Sequence, residues 1–407
     1  MISVDEAFRH YESEISPLPI VEMPLSEALG RVLAEDVHAQ TDLPPFPQSA
    51  MDGYALRAED TKSANPEQPA RLRLAGEIPA GKLSSIPILK SGESMRIFTG
   101  GYVPQGSDAI LRQEDAQVEK DWLLVRNALP AGTNLRERGE EISKGESLAT
   151  AGVRLQPGHL AAFAIAGVER VQIHREPRIA VLTTGDEVVP PGKLLEPGEV
   201  YDSNTPLITN WLRTCSYTRI SAVHLPDDLK GTEKAMRDAL ASSDLLVTAG
   251  GVSVGERDFV MGAAKEAGVR EIFWKVRQRP GKPLFFGMHG KVPLLGLPGN
   301  PGSVFTCLVT HVRRVLDLLE SASSWSPLLL KGRLSESLAL SLEREWWVRC
   351  RVEISSEGEV WIIPLPHQSS HMITNLTECT ALARLPEGEG TLARGSMISW
   401  TPCANSP

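Results

Sequence analysis

The chain has 407 residues, 42% hydrophobic and 23% charged, with a formal net charge of −9. That length exceeds one ordinary core and predicts about two to four domains. The acidic balance argues against a nucleic-acid partner, and no run of about 18 apolar residues is present to span a membrane. The polar, acidic N-terminal segment lacks the basic and apolar regions of a signal peptide. Cys215, Cys307, Cys350, Cys379 and Cys403 are scattered, odd in number and form no CxxC pair. They predict reduced thiols in a cytoplasmic protein rather than a disulfide framework or a zinc site.

In chain order, Ser3 and Glu6 fit a capping box ahead of a helix with Val4, Ala7, Phe8 and Tyr11 on one face. A second helix is expected over 25–37, weakened by Gly30. Pro44, Pro45 and Pro47 then exclude helix. Short runs at 71–74, 95–98, 109–111 and 122–125 are separated by turn signals such as Asp52-Gly53, Gly100-Gly101 and Gln105-Gly106. They predict a small β domain.

From 177 to 320 the pattern changes to alternating strand and helix. Strands are expected at 178–183, 221–225, 244–248, 284–286 and 293–297, and helices near 205–214, 231–240 and 259–267. A last helix carries Val304, Phe305, Leu308, Val309, Val312, Val315, Leu316 and Leu319 as one apolar stripe. Such alternation predicts an open parallel sheet covered on both faces. Beyond Pro327, Val348, Cys350, Val352 and Ile354 alternate with Arg349, Arg351 and Glu353, giving one apolar and one charged face. With runs at 360–363, 381–385 and 397–400, they predict a small barrel or sandwich over 326–407.

Open α/β sheets bind ligands beyond the carboxyl ends of their strands. Three such ends lead into Thr184-Gly185-Asp186-Glu187, into the loop 249–258 and into Pro298-Gly299-Asn300-Pro301. The last two are glycine-rich loops entering helices, where close backbone approach and free N–H groups suit phosphate or another oxyanion. Asp186, Glu187, Asp202, Asp227 and Asp258 flank the same ends. Mg²⁺ takes one or two carboxylates plus ligand phosphates and water. Glu187, Asp227 and Asp258 rank above Asp186 and above Asp202, which also reads as an Asx turn. The basic cluster Arg270, Lys275, Arg277, Arg279 and Lys282 lies between Pro/Gly kinks, just before the strand at 284–286. That placement directs Arg279 and Lys282 to the same edge, Arg as a bidentate fork and Lys as a point charge.

These loops, with the runs 45–54, 99–100, 134–142 and 201–204, resemble the molybdopterin molybdenumtransferase family, the MoeA proteins and the E domain of gephyrin, over nearly the whole chain. The resemblance implies a multidomain α/β and β fold. Its parts would be a central doubly wound, MogA-like α/β domain at 177–325, a small β domain at 44–140, a discontinuous helical/β linker subdomain at 1–43 plus 141–176, and a C-terminal β-barrel at 326–407. It also implies molybdenum cofactor biosynthesis: insertion of molybdate into adenylylated molybdopterin with Mg²⁺-dependent release of AMP, by a homodimer supplied by a molybdopterin adenylyltransferase.

Carried over by position, Asp258, Glu187 and Asp227 resemble the acidic metal and pterin-phosphate residues, with Lys275 and Arg279 beside them in the reaction. Asp52, Thr99, Gly250, Gly251, Ser253, Lys282, Pro298, Ser303, Arg349 and Ser370 resemble substrate contacts, Asp52 and Thr99 reaching the cleft of the partner subunit. The chain departs from the pattern at Arg279, where many relatives have Lys, at Glu141 and at Tyr102. Two alternatives are an adenylyltransferase-like enzyme, whose relatives lack the flanking β regions, and a molybdopterin-binding scaffold, which would need no intact carboxylate set.

Overall fold

A computed structural model describes residues 1–251, 259–323, 327–340 and 343–403. The chain divides into two compact units, one of Met1–Glu35, Thr150–Pro157 and Arg170–Pro407, the other of Asp36–Ala149 and Gly158–Glu169.

The chain opens with α1 (Val4–Glu14), whose capping box is formed: the Ser3 hydroxyl accepts from Glu6 N–H and the Glu6 carboxylate from Ser3 N–H. Val4, Ala7 and Tyr11 are buried. After β1 (Ile20–Pro24) the helix expected over 25–37 does not form; only a 3-10 turn at Leu25–Glu27 is present. Gly30 takes a left-handed φ of 75°, and a Cβ there would lie 2.8 Å from the Cβ of Ser216. Val32 and Leu33 then bridge Arg154 and Ile173. Tertiary strand partners override a weak helical pattern.

The second unit holds β2 (Gly53–Leu56), β3 (Ala70–Ile78), β4 (Glu93–Ile97), β5 (Ala109–Arg112), β6 (Gln117–Glu119) and β7 (Trp122–Val125). They form one six-stranded sheet in the order β5-β2-β4-β3-β7-β6.

Back in the first unit, β8 (Arg170–His174) pairs with β1. The α/β layer follows: β9 (Ile179–Thr184), α2 (Asn204–Thr214), β10 (Ile220–Leu225), α3 (Leu229–Ser242), β11 (Leu245–Ala249), α4 (Phe259–Glu266), β12 (Arg270–Trp274), β13 (Phe285–His289) and β14 (Val292–Leu297). The sheet order is β10-β9-β11-β14-β13-β12. The first four strands are parallel, but β13 runs antiparallel to β14 and β12, so the sheet is mixed. The cause is local: His289 pairs with Val292 across a tight turn at Gly290, too short for a crossover connection. The charges of Arg270 and Glu271 concealed β12 in the sequence.

Alternation along the strands sorts the two faces. Ile179, Val181, Leu245, Val247 and Leu295 pack under α1, α2 and the last helix. Ala180, Leu182, Leu246 and Leu294 pack under α3 and α4, through Met236, Leu240 and Val260. That last helix runs as α5 (Pro301–Cys307), a π turn at Leu308–Val312, and α6 (Arg313–Leu319). Then β15 (Leu330–Leu334), β16 (Glu345–Ile354), β17 (Val360–Pro364), β18 (Ala381–Leu385) and β19 (Met397–Pro402) close into a five-stranded barrel, since β16 pairs with both β17 and β18.

Candidate active site

Register defines the working edge of the α/β sheet. Val223, Leu182, Thr248, Gly296, Phe285 and Trp274 form one row across it. Because β12 runs parallel to β14, both β12 and the parallel strands deliver their carboxyl ends to the same side. The connection from Trp274 to Phe285 therefore stands at that edge beside the loops after β9, β11 and β14.

The floor of the edge is backbone. Gly250 has φ 99° and Gly251 φ 62°. A Cβ on Gly250 would lie 2.9 Å from the Thr184 hydroxyl and 3.0 Å from its carbonyl oxygen, so only glycine lets the ends of β9 and β11 close up. Gly299, following Pro298, lies against Gly250, and Asn204 at the start of α2 donates from Nδ2 to the Gly299 carbonyl at 2.8 Å. In the sequence Asn204 carries no signal for this contact beyond a short amide at a strand-to-helix turn.

On this floor the acidic loops meet. The Asp227 N–H donates to Asp186 Oδ1 at 3.0 Å, which ties the turn after β10 to the turn after β9 that carries Glu187. His224 holds the same turn from beneath, its Nε2 3.1 Å from the Gly185 carbonyl and its Nδ1 3.0 Å from the Thr183 hydroxyl. Asp202 accepts from Thr205 N–H at 3.0 Å, three residues on, and so ties the start of α2 rather than forming the two-residue Asx turn the sequence suggested. Asp228, not Asp227, caps α3 by accepting from Gly231 N–H. Ser253 and Asp258 lie outside the described residues. Among the described residues no three His, Cys, Asp or Glu side chains gather as a metal cage.

The basic segment sorts its charges. Arg270 pairs with Glu14 at 2.6 Å and Arg277 with Glu387 at 3.4 Å. Lys275 instead lies 3.6 Å from the centre of the Trp274 ring, and Arg279 stacks 4.9 Å over Trp346. A cation on an aromatic face keeps its outward N–H donors for a ligand. Arg279 and Lys282 are exposed.

At the start of α5 the structure corrects two expectations. The first is that this helix N-terminus offers free N–H groups to an anion. Gly302 N–H donates to the Ser370 carbonyl at 2.8 Å, while Ser303 and Val304 N–H both donate to the Asn300 carbonyl. Ser303 itself is only 3% exposed. The second is that Arg349 lies on the open, charged face of its strand. It is 1% exposed, and its guanidinium donates to the carbonyls of His367, Ser369 and Met372. Arg349 thus braces the loop that carries Ser370, whose hydroxyl accepts from Asn300 Nδ2 at 2.9 Å. A strand alternation cannot reveal a loop folded back over its polar face.

In the small β unit, Asp52 and Thr99 come together. Asp52 Oδ1 accepts from Thr99 N–H at 2.8 Å and from its hydroxyl at 2.7 Å. The Thr99 backbone bond, followed by the hydroxyl bond, holds the Asp52 carboxyl below the usual range.

Three domain families match successive parts of the chain: "MoeA N-terminal region (domain I and II)" over residues 2–167, "Probable molybdopterin binding domain" over 180–318, and "MoeA C-terminal region (domain IV)" over 331–403. The molybdopterin molybdenumtransferase of Synechococcus elongatus is 33% identical over 94% of this chain and 94% of its own. That of Haemophilus influenzae is 31% identical over 99% and 98%. The crystal structure of the molybdopterin biosynthesis MoeA protein from Pyrococcus horikosii superposes with a TM-score of 0.81 at 27% identity, covering 100% of both chains. With matches spanning nearly the full length and the glycine, carboxylate and basic loops gathered at one sheet edge, the chain belongs to the molybdopterin molybdenumtransferase family.

Proposed function

We propose that this protein inserts molybdate into adenylylated molybdopterin and releases AMP in a Mg²⁺-dependent reaction. Its family makes it a transferase of molybdenum cofactor biosynthesis. The observation that carries the finer reading is the convergence at one carboxyl edge of the Glu187 and Asp227 loops with the exposed Arg279 and Lys282.

The donor set suits a hard cation. Glu187 and Asp227 offer carboxylate oxygens, and the described residues form no closed cage, so Mg²⁺ would take one or two of these carboxylates, with Asp258, and complete its shell from substrate phosphate and water. When bound, Mg²⁺ would supply positive charge to the oxygens of the phosphoanhydride. The chain's own groups do the remaining work. Arg279 and Lys282 hold the anionic phosphates or molybdate from the opposite side. The Trp346 ring under Arg279 limits the conformational freedom that Arg279 loses on binding. The packed glycine floor lets substrate approach the backbone, and holding molybdate beside the dithiolene makes the encounter effectively unimolecular. Asp52, kept ionised by Thr99, is a fixed acceptor for a donor group of the substrate. By family resemblance it would act in the cleft of a partner subunit of a cytoplasmic homodimer.

The test is AMP release from adenylylated molybdopterin by the purified protein, with and without Mg²⁺ and molybdate. Molybdate-stimulated release that falls at least tenfold in Asp258→Ala and in Arg279→Met supports the reading. Unchanged release in both folded variants would remove it.

A further inference from the structure

A chain of buried polar groups runs beneath the basic segment. The Tyr11 hydroxyl lies 3.0 Å from His311 Nδ1, and His311 Nε2 lies 2.8 Å from Gln278 Oε1. Gln278 Nε2 continues to the Gly281 carbonyl at 3.3 Å and to Cys307 Sγ at 3.6 Å. Tyr11, Gln278, Cys307 and His311 are all fully buried. Polar groups enclosed in this way are costly unless each finds its partner.

Donor and acceptor chemistry assigns the direction. The Gln278 oxygen only accepts, so His311 carries its proton on Nε2. Nδ1 of the neutral ring must then accept, and the Tyr11 hydroxyl donates to it. The Gln278 amide hydrogens point onward to Gly281. Burial pushes the His311 pKa down to about 3 and the Tyr11 hydroxyl well above its usual value, which agrees with a neutral ring and a protonated phenol.

The chain joins three elements that are far apart in sequence and share one core. Tyr11 comes from α1, His311 from the π turn in the last helix, and Gln278 from the segment carrying the exposed cations. Fit at the far end is close: a Cβ on Gly281 would lie 2.5 Å from Gln278 Nε2 and 2.8 Å from Cys307 Sγ. The N-terminal strand residue adds a second tie, with Ile2 N–H donating to the Lys275 carbonyl and Arg277 N–H to the Ile2 carbonyl.

We propose that Tyr11, His311 and Gln278 are positioning residues that set the turn presenting Arg279 and Lys282 to substrate. The proposal rests on the reading of Arg279 and Lys282 as anion contacts. None of the three touches substrate. They act by holding the Gly281 carbonyl, and with it the backbone between the two cations, in one orientation.

The experiment has a substrate-free arm and a kinetic arm. Nitrogen-15 NMR of the histidine rings in the intact protein should show His311 neutral and protonated on Nε2; an Nδ1-protonated or charged ring would overturn the relay. In kinetics with adenylylated molybdopterin, His311→Leu and Gln278→Leu should each raise KM about tenfold while kcat changes less than threefold. His311→Gln, which keeps an acceptor toward Tyr11 and a donor toward Gln278, should recover most of the loss. A merely structural histidine would show equal thermal melting shifts without this split or rescue. If Arg279→Met and Lys282→Met leave KM unchanged, the underlying reading of the cations fails. If they raise KM but the folded His311→Leu and Gln278→Leu proteins match the wild type, the positioning proposal alone fails.

Discussion

Arg279 lies over the ring of Trp346, and Arg349 follows a little further along the same barrel strand β16. One guanidinium is exposed with an aromatic seat and no carboxylate partner among the described residues; the other is enclosed and donates to three carbonyls. The first has its charge on an aromatic face at the surface, and the second gives its donors to the loop that carries Ser370. Equal charge on neighbouring elements thus meets two fates, exposure on an aromatic face and loop construction, and burial decides which.

Substitution should separate the two most sharply. Arg349→Met leaves three carbonyls without their charged donor and is expected to destabilise the fold by about 3–5 kcal/mol in chemical denaturation. Arg279→Met should change stability by less than about 0.5 kcal/mol, because the site is exposed, yet weaken binding of the adenylylated pterin roughly 10- to 100-fold. Equal stability losses in the two variants would erase the distinction.

The buried relay extends the comparison to pH. A histidine held neutral, with a pKa of about 3, lets the unfolded chain bind the extra proton once the pH drops below its ordinary value of about 6.5. Its contribution is therefore complete above about 6.5 and is lost as pH falls toward 3, with a slope of up to about 1.4 kcal/mol per pH unit. Tyr11, Cys307 and the more distant Arg384 are the titratable or charged groups facing it, and none relieves this penalty in that window. Urea unfolding from pH 7 to 4 should show the slope, and His311→Gln should flatten it.

Smaller effects test the glycine floor and the β unit. Gly250→Ala forces a Cβ against Thr184 at a φ of 99° and should cost about 1–3 kcal/mol, read as a lower melting temperature. Thr99→Val removes the hydroxyl bond to Asp52 and should raise that carboxyl's pKa in an NMR titration, with the backbone bond limiting the shift. Because the Asp52 pKa is depressed, its small contribution to stability is present above the ordinary carboxylate range and lost as pH falls through the folded value. An unshifted titration would mean that the Thr99 hydroxyl does not govern Asp52.

Local pattern alone determined the helix starting at Val4, the apolar strands ending in glycine and carboxylate loops, and the apolar stripe of the last helix. In these segments periodicity and cap chemistry act over a few residues and agree with the final packing. Strand ends in an α/β layer also direct their loops to one side by rule, so the edge holding Glu187, Asp227 and Gly250 was legible.

Tertiary structure decided the remainder. Residues 25–37 abandoned a helix because Val32 and Leu33 found strand partners. Antiparallel β13 followed from a turn too short to cross over. The fates of Arg349, the start of α5 and the Tyr11–His311–Gln278 chain depended on residues far away in sequence. Charge and hydrogen-bond partners at such distances leave no period in the sequence, and only folding brings them within the few ångströms over which they act.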